Sequence, residues 1–323
     1  MIYDNDLVIL VDCQNLAYRS FYAFSNLSFE DQKTGTFYGF LHAVLRLRQK
    51  ISKRMVFCWD GGLPGDKHVE NWRKRIWPKY KQSRKPSEGR EIVQAQLPAL
   101  HEVLDYIGYG SVGVPGLEAD DVMSVLAHTR DGFVGNVAIH SSDHDMYQCL
   151  TADERVRVLA RSLYLEQGLR FKTGYGWVTQ KSIMKQYGVH PLKWAAYLAM
   201  GGDQSDDIKP MKGMGPKTAM DLLSMGVMPA EPFTKQTIGL RTKYGRLEKC
   251  WPDIQAAYKV ALLPTTWTDP RIAKYAAIRK VNTVGQSQLT LAHGGPPRLK
   301  EFAQWLADRG LADLFAVRNQ FFD

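Results

Sequence analysis

Three uninterrupted apolar runs in the first half of the chain constrain its fold more than any other feature. Two of them, Leu7–Val11 and Met55–Trp59, are each followed directly by an aspartate, Asp12 and Asp60 respectively. The third run, Val134–Ile139, leads into the sequence HSSDHD. Runs of this length without polar alternation indicate strands that are buried on both faces, as in a parallel sheet covered by helices.

Helical patterns alternate with these strands and then replace them. They occupy Gly39–Lys50, Ile92–Ile107, Ala119–His128, Ser182–Tyr187, Leu192–Met200 and Gly215–Leu223. This order predicts an α/β fold with a mostly parallel central sheet flanked by helices. Sites in such sheets form beyond the carboxyl ends of the strands, where this chain places its acids. Near the end, Arg298–Phe315 is amphipathic, and we expect its apolar side to pack on the core.

The composition is typical of a soluble globular protein, and its basic charge is compatible with a polyanionic partner, although many basic proteins bind none. Of the 323 residues, 45% are hydrophobic, and 42 basic against 33 acidic residues give a net charge of +9. This charge suits nucleic acid or a membrane surface. The four cysteines form no CxxC pair, which disfavours a disulfide framework or a thiolate zinc site. Neither a signal peptide nor an apolar run of about 18 residues is found, so we expect a cytoplasmic protein without a membrane partner.

The acidic residues form four short clusters along the chain. Their members are Asp12 and Asp60; Glu118, Asp120 and Asp121; Asp143 and Asp145; and Asp203, Asp206 and Asp207. Any one cluster is explained by turn formation or helix capping. Three strand ends and a helix start nevertheless meet at one edge of the sheet, where unpaired carboxylates would repel one another. Two Mg²⁺ or Mn²⁺ ions would resolve the repulsion and would support phosphodiester cleavage.

A basic stretch and a glycine-rich turn are the two other candidate DNA-binding elements. Residues 72–90 hold eight basic residues with Trp77 and Tyr80 between them. This pattern suits either a solvated face or a single strand whose bases stack on the aromatic rings. In KGMGPKTAMDLL, Gly213 and Gly215 precede a helix, and amides at such a turn bind anions. The GxxxxGK[ST] pattern of a Walker loop is absent.

Six motifs in order resemble those of the flap endonuclease and 5′-to-3′ exonuclease family. They are VDCQNLAYRSFYA, FCWDGG, WRKRIWPKYKQSR, PGLEADDV, SSDHDM and MGGDQSDDIKPMKGMGPKTA. The family includes the 5′ nuclease domain of bacterial DNA polymerase I and stand-alone phage enzymes. The resemblance covers roughly residues 7–225, about two-thirds of the chain.

The resemblance implies a PIN-like 5′ nuclease fold with a helical arch and a helix–hairpin–helix module. The implied divisions are a core at 1–180 with the arch at 72–97, the module at 181–260, and a C-terminal segment at 261–323 that packs back on the core. The implied activity is a structure-dependent 5′ nuclease, a metal-dependent phosphodiester hydrolase acting on DNA flaps, nicks and 5′ ends in replication or repair. RNA primers in RNA–DNA hybrids are a further implied substrate. The resemblance also implies a monomer in the cytoplasm of a bacterial cell or a phage-infected host.

The resemblance also assigns roles to single residues. The metal ligands, direct or through water, are Asp12, Asp60, Glu118, Asp120, Asp121, Asp143, Asp145, Asp203 and Asp206. The catalytic residues at the scissile phosphate are Lys81 and Arg84. The DNA-binding residues are Arg19, Arg73, Tyr80, Gly213, Gly215, Lys217 and Thr218, with a K⁺ ion at the hairpin. Asp207 stands where relatives often carry Asn and is not counted as a ligand.

Two other functions are compatible with parts of the pattern. An RNase of the related toxin-like fold shares acids at its strand ends, but such proteins are generally smaller and lack the Gly-x-Gly hairpin. A DNA-binding scaffold that had lost catalysis would lack some of the acids, whereas this sequence retains them. The hairpin and the complete acid set therefore favour the nuclease.

Overall fold

The computed structural model describes residues 6–129, 135–161, 175–210, 214–232, 247–278 and 295–322. The strands are β1 (Val8–Asp12), β2 (Ser28–Phe29), β3 (Gln32–Lys33), β4 (Met55–Trp59), β5 (Gly110–Gly113), β6 (Val137–His140), β7 (Val156–Arg161) and β8 (Tyr175–Val178). The α-helices are α1 (Cys13–Ala23), α2 (Gly35–Lys50), α3 (Trp72–Ile76), α4 (Glu88–Ile107), α5 (Ala119–Thr129), α6 (Gln180–Tyr187), α7 (Trp194–Gly201), α8 (Pro216–Ser224), α9 (Leu247–Ala261), α10 (Ala273–Ile278), α11 (Leu299–Ala307) and α12 (Ala312–Ala316). Short 3₁₀ helices cover His144–Cys149, Pro191–Lys193 and Arg318–Phe321.

Six of the strands form one sheet in the order β5-β4-β1-β6-β7-β8. Neighbouring strands from β5 to β7 are parallel, and β8 pairs antiparallel with β7 at the edge. The order places β1 between β4 and β6, so the carboxyl ends of these three strands are adjacent. The mostly parallel sheet predicted from the apolar runs is therefore confirmed.

The central strand is buried because both faces of the sheet are covered. Val8 and Leu10 pack on one face with residues of α5, α7 and α9. Ile9 and Val11 pack on the other face with residues of α1, α2, α4 and α11. Full burial of one such aliphatic side chain contributes about 1.5–3 kcal/mol, so the sheet provides a rigid base for the loops at its ends.

The C-terminal residues join the second of these faces. On α11, Phe302 and Trp305 are buried in the same hydrophobic cluster as β1, and the ring of Trp305 meets the edge of Phe37 at 5.1 Å between centroids. The amphipathic stretch of the sequence forms two helices, α11 and α12, because Gly310 between them adopts a φ of 63°. No helix in the described part of the chain is long and apolar enough to cross a membrane.

Candidate metal centre

The acids of the first two clusters lie at the carboxyl edge of the sheet. Asp12 ends β1 and caps α1, with its Oδ1 accepting a hydrogen bond from the amide of Asn15 at 3.0 Å. Its Oδ2 accepts from Ser141 Oγ at 2.9 Å, just beyond β6. Asp60 follows β4, and its Oδ1 accepts from the amide of Ala119 at 2.7 Å. The first of these contacts between segments joins the ends of β1 and β6, and the second joins the end of β4 to the start of α5.

The most compact group of acids joins the third and fourth clusters. Asp145, Asp203 and Asp206 each offer a carboxylate oxygen, and these oxygens lie within 4.8 Å of one another. Asp145 and Asp206 are buried, and Asp203 is half-buried. Burial raises the pKa of Asp145 well above its usual value, and the nearby charges of Asp143 and Asp206 raise it further. The folded chain therefore holds like charges together, which a cation among them would stabilise.

Asp12 is electrostatically part of the same acidic site. Burial raises its pKa to about 7, with the charges of Asp60 and Asp143 as further causes. A carboxyl group with this pKa is only partly ionised at neutral pH unless positive charge is supplied. Hard oxygen ligands of this kind match Mg²⁺ or Mn²⁺.

Lys81 lies between two of the acidic clusters. Its Nζ is 2.6 Å from Glu118 Oε2 and 3.4 Å from Asp206 Oδ1. Glu118 also accepts hydrogen bonds from the hydroxyl of Tyr80 at 2.8 Å and from Asn71 Nδ2 at 2.9 Å. Burial opposes ionisation of Glu118, but the charges of Lys81 and Arg73 hold its pKa at about 2. Glu118 is thus a fixed anion in contact with the ammonium group.

The segment that carries Lys81 and Arg84 forms turns rather than a helix. Lys81 adopts a left-handed φ of 52°. The amide of Ser83 donates to Asp207 Oδ2 at 2.7 Å, and Arg84 Nη2 donates to the carbonyl of Ser205 at 3.2 Å. Arg84 Nη2 also lies 3.8 Å from Asp206 Oδ1. The two basic residues predicted to act at the phosphate therefore lie beside the acids.

Arg73, Tyr80 and Asp121 occupy positions that differ from those expected. Arg73 and Tyr80 were expected to contact DNA, but each is only 1% exposed. The guanidinium group of Arg73 bonds to carboxylates, and the hydroxyl of Tyr80 bonds to Glu118. Asp121, expected among the metal ligands, is fully buried, and its Oδ2 accepts from Trp72 Nε1 at 2.9 Å and from Arg73 Nη1 at 2.8 Å. The guanidinium group of Arg73, the hydroxyl of Tyr80 and Oδ2 of Asp121 are thus bonded within the protein, whereas the buried Oδ1 of Asp121 has no hydrogen-bond partner among the described residues.

The start of α8 presents an open surface. Gly215 is its N-cap residue, with a φ of −115° and a ψ of −175°, and a Cβ placed there would meet no atom within 4 Å. Any residue can adopt this backbone conformation. The absence of neighbouring atoms, and not the conformational freedom of glycine, is therefore the notable property of this position. Lys217 and Thr218 follow in the first turn, where helical amides have no partner within the helix. Gly213 lies outside the described residues.

Two cavities adjoin the acids. A groove of about 990 Å³ is lined by Asp60, Glu118 and Lys81 together with Tyr22 and Arg90. A smaller cavity of about 250 Å³ is lined by Arg19, Ser141, Ser142, Asp143, His144, Tyr147, Val158 and Ala160. Arg19, predicted to bind DNA, therefore lies beside an acid of the candidate metal centre.

Comparison with known proteins identifies the family of this chain. The family model of the 5′-3′ exonuclease N-terminal, resolvase-like domain matches residues 7–188. The chain belongs to this family. It is 30% identical to a 5′-3′ exonuclease of Buchnera aphidicola over 219 residues, which are 67% of this chain and 69% of that protein. The resemblance inferred from the six motifs is thereby confirmed.

Relatives also include larger proteins. The thermostable DNA polymerase I of Thermus thermophilus is 32% identical over 217 residues, which are 67% of this chain and 24% of the polymerase. The chain therefore spans about a quarter of the length of the polymerases it matches.

Solved structures share the fold. The T5 5′-exonuclease with bound zinc matches with a TM-score of 0.55 and 16% identity, over 92% of this chain and 98% of that chain. The catalytic core of Rad2 in complex with a DNA substrate also gives 0.55 and 16%, over 97% of this chain and 91% of that chain. These likenesses confirm the 5′ nuclease type of fold.

Proposed function

We propose that the chain is a structure-dependent 5′ nuclease that hydrolyses DNA phosphodiesters at 5′ ends, flaps and nicks with two Mg²⁺ or Mn²⁺ ions. The observation that carries this proposal is the group of Asp145, Asp203 and Asp206, whose oxygens lie within 4.8 Å of one another. Beside this group, Lys81 forms ion pairs with Glu118 and Asp206. Family membership and the DNA complex of the structurally similar Rad2 core support the same function.

The acids divide into two sets that would each hold one ion. Asp145, Asp203 and Asp206, with Asp143, form one set, and Asp12, Asp60, Glu118 and Asp120 form the other. Their all-oxygen donor set and the raised pKa of the buried Asp12 and Asp145 fit divalent cations of the Mg²⁺ type. When bound, such ions activate a water molecule and stabilise the leaving oxygen.

The protein groups would bind and orient the DNA around this centre. Lys81 and Arg84 would contact the scissile phosphate, and their positive charge stabilises the additional negative charge that the phosphate gains during hydrolysis. The groove lined by Lys81, Arg84 and Arg90 would take the single-stranded 5′ end. The free amides and the cation of Lys217 at the start of α8 would hold a phosphate of the duplex, with a K⁺ ion as a further bridge.

The proposal extends to the biological substrate. We place the activity in replication or repair, with RNA primers in RNA–DNA hybrids as a second substrate. The proposed ligands of both metal ions come from one chain, which supports action as a monomer. The bacterial relatives support a cytoplasmic location, in a bacterial cell or a phage-infected host.

One cleavage assay tests this function. The substrates are end-labelled 5′-flap, nicked, gapped and blocked-5′ duplexes and an RNA–DNA hybrid, each with Mg²⁺ or with EDTA. We expect Mg²⁺-dependent cuts close to the junction between single and double strands. Cleavage of single-stranded RNA alone would indicate an RNase, and binding of every duplex without cleavage in Mg²⁺ or Mn²⁺ would indicate a scaffold.

A further inference from the structure

The C-terminal end of α9 is hydrogen-bonded to Arg73 and Gln148, two residues near the acids of the metal centre. The last carbonyls of a helix have no partner within it, and they form the negative end of its dipole. Here the carbonyl of Val260 accepts from Arg73 Nε at 3.1 Å, and that of Ala261 accepts from Gln148 Nε2 at 2.9 Å. Gln148 Oε1 also accepts from the amide of Leu263 at 3.1 Å. Two side chains of the nuclease core therefore cap this helix.

The same Arg73 side chain holds two acids at the start of α5. Nη1 donates to Asp121 Oδ2 at 2.8 Å, and Nη2 donates to Asp120 Oδ2 at 3.2 Å. The guanidinium carbon lies 4.7 Å from the centre of the Trp72 ring, and the side chain is 1% exposed. All three nitrogens of the planar group are thus bonded, which a lysine ammonium cannot reproduce.

Gln148 connects the end of α9 to the 3₁₀ helix that carries Asp145. It lies in the 3₁₀ helix His144–Cys149, one turn after Asp145, and bonds on both sides of the end of α9. Arg73 and Gln148 together thus join one helix end to Asp120 on one side and to the helix that carries Asp145 on the other. We call these two residues the α9 clamp.

We infer that the α9 clamp sets the spacing between the two halves of the metal centre, so that Arg73 and Gln148 are positioning residues for the metal ligands. The role of the clamp in catalysis rests on the proposed function. Its effect on metal affinity does not, because metal binding is measured without cleavage. The clamp also makes α9, which lies beyond the 7–188 match to the family model, a structural part of the site.

The test measures Mn²⁺ binding by electron paramagnetic resonance, with single-turnover cleavage of a 5′-flap duplex as a second readout. The variants are Arg73→Lys and Gln148→Ala, and the control is Lys249→Gln, an exposed charge on α9 outside the basic stretch. Loss of a group that orients metal ligands typically weakens metal binding 10–100-fold. We expect at least a 10-fold rise in the Mn²⁺ Kd for Arg73→Lys and a several-fold rise for Gln148→Ala. Excess metal should restore much of the rate, while the DNA Kd changes less than twofold.

Two results would overturn the clamp. One is a Mn²⁺ Kd within twofold of wild type in both variants. The other is a weakened DNA Kd in Arg73→Lys with a shallower salt dependence and unchanged metal affinity, which would make Arg73 a DNA contact. If Arg73→Lys does not fold, Gln148→Ala decides, because it removes only two hydrogen bonds. Wild-type protein that binds Mn²⁺ but cleaves no DNA would contradict the proposed function. The comparison of Mn²⁺ Kd between the variants and wild type would still test the clamp.

Discussion

Replacing Asp145 with asparagine should stabilise the metal-free protein and at the same time remove its response to divalent cations. Asp145 is 5% exposed, and its carboxylate lies within 4.8 Å of those of Asp203 and Asp206. Two full charges at that separation repel by roughly 1 kcal/mol in bulk water and by about 3.5 kcal/mol at an effective dielectric constant of 20. Burial and the neighbouring carboxylates raise the pKa of Asp145, which favours its protonated form and reduces the gain. We therefore expect the variant to be more stable by about 1–3 kcal/mol in EDTA.

Thermal unfolding in EDTA and in Mg²⁺, followed by circular dichroism, measures both effects. Mg²⁺ at about 100 times its Kd should add about 2.7 kcal/mol to the stability of the wild type, and much less to that of Asp145→Asn. Cleavage by the variant should fall at least ~10³-fold, which corresponds to about 4 kcal/mol of transition-state stabilisation. The matched control is Asp253→Asn, an exposed acid on α9. A variant with unchanged or lower stability in EDTA, or with the same gain from Mg²⁺ as wild type, would refute this reasoning.

Three further predictions concern the phosphate contacts and the pH dependence. Lys81→Ala should lower the single-turnover rate at saturating enzyme by ~10²-fold or more. The control, Lys85→Ala at an exposed position, should show only a small, salt-sensitive loss of DNA binding. Equal losses in both variants that vanish in high salt would contradict a catalytic role of Lys81. Gly215→Val should leave the Tm unchanged, because the new side chain enters open space, but it should weaken duplex binding at the start of α8. Lys217→Ala should reduce the slope of log affinity against log salt concentration by about one unit. Unchanged binding in both variants would make this turn a packing element. Because the folded pKa of Asp12 is about 7, above the ordinary value of about 4, its contribution to stability is complete below pH 4 and is lost as the pH rises through 7. The Tm in EDTA should therefore fall between pH 5 and pH 8, and a flat or rising profile would contradict the raised pKa.

The sequence could predict the three central strands β4, β1 and β6 and most of the acidic edge because both follow from local patterns. A continuous apolar run indicates a buried parallel strand, and an acid that follows it then lies at the carboxyl edge, whereas β5 (GSVG) and β7 (VRVLAR) carry no such run. Asp12, Asp60 and Asp145 follow this rule. Their convergence with Asp203 and Asp206 was suggested by the family motifs, since nothing in the local pattern relates residues so far apart in the chain. The division of the chain at residues 180 and 260 stays a prediction.

The roles of buried polar residues could not be predicted in the same way. Arg73 lies in a basic stretch that looks like a DNA-binding surface, and its burial depends on Asp121 and on the carbonyl of Val260, which is 187 residues away. Asn71, Ser141 and Gln148 also bond to acids or to the end of α9 without any sequence signal beyond their closeness to a motif. Such bonds are properties of the tertiary structure, because each partner comes from a different segment.

The most direct test of the central claim is an anomalous difference map from crystals of this protein grown with Mn²⁺. The claim is that the acids at the sheet edge hold two divalent cations that act together on DNA. The account predicts two Mn²⁺ peaks about 4 Å apart, one beside Asp145, Asp203 and Asp206 and the other beside Glu118 and Asp120. Mn²⁺ peaks found only elsewhere on the protein, with this acidic edge free of metal, would contradict it.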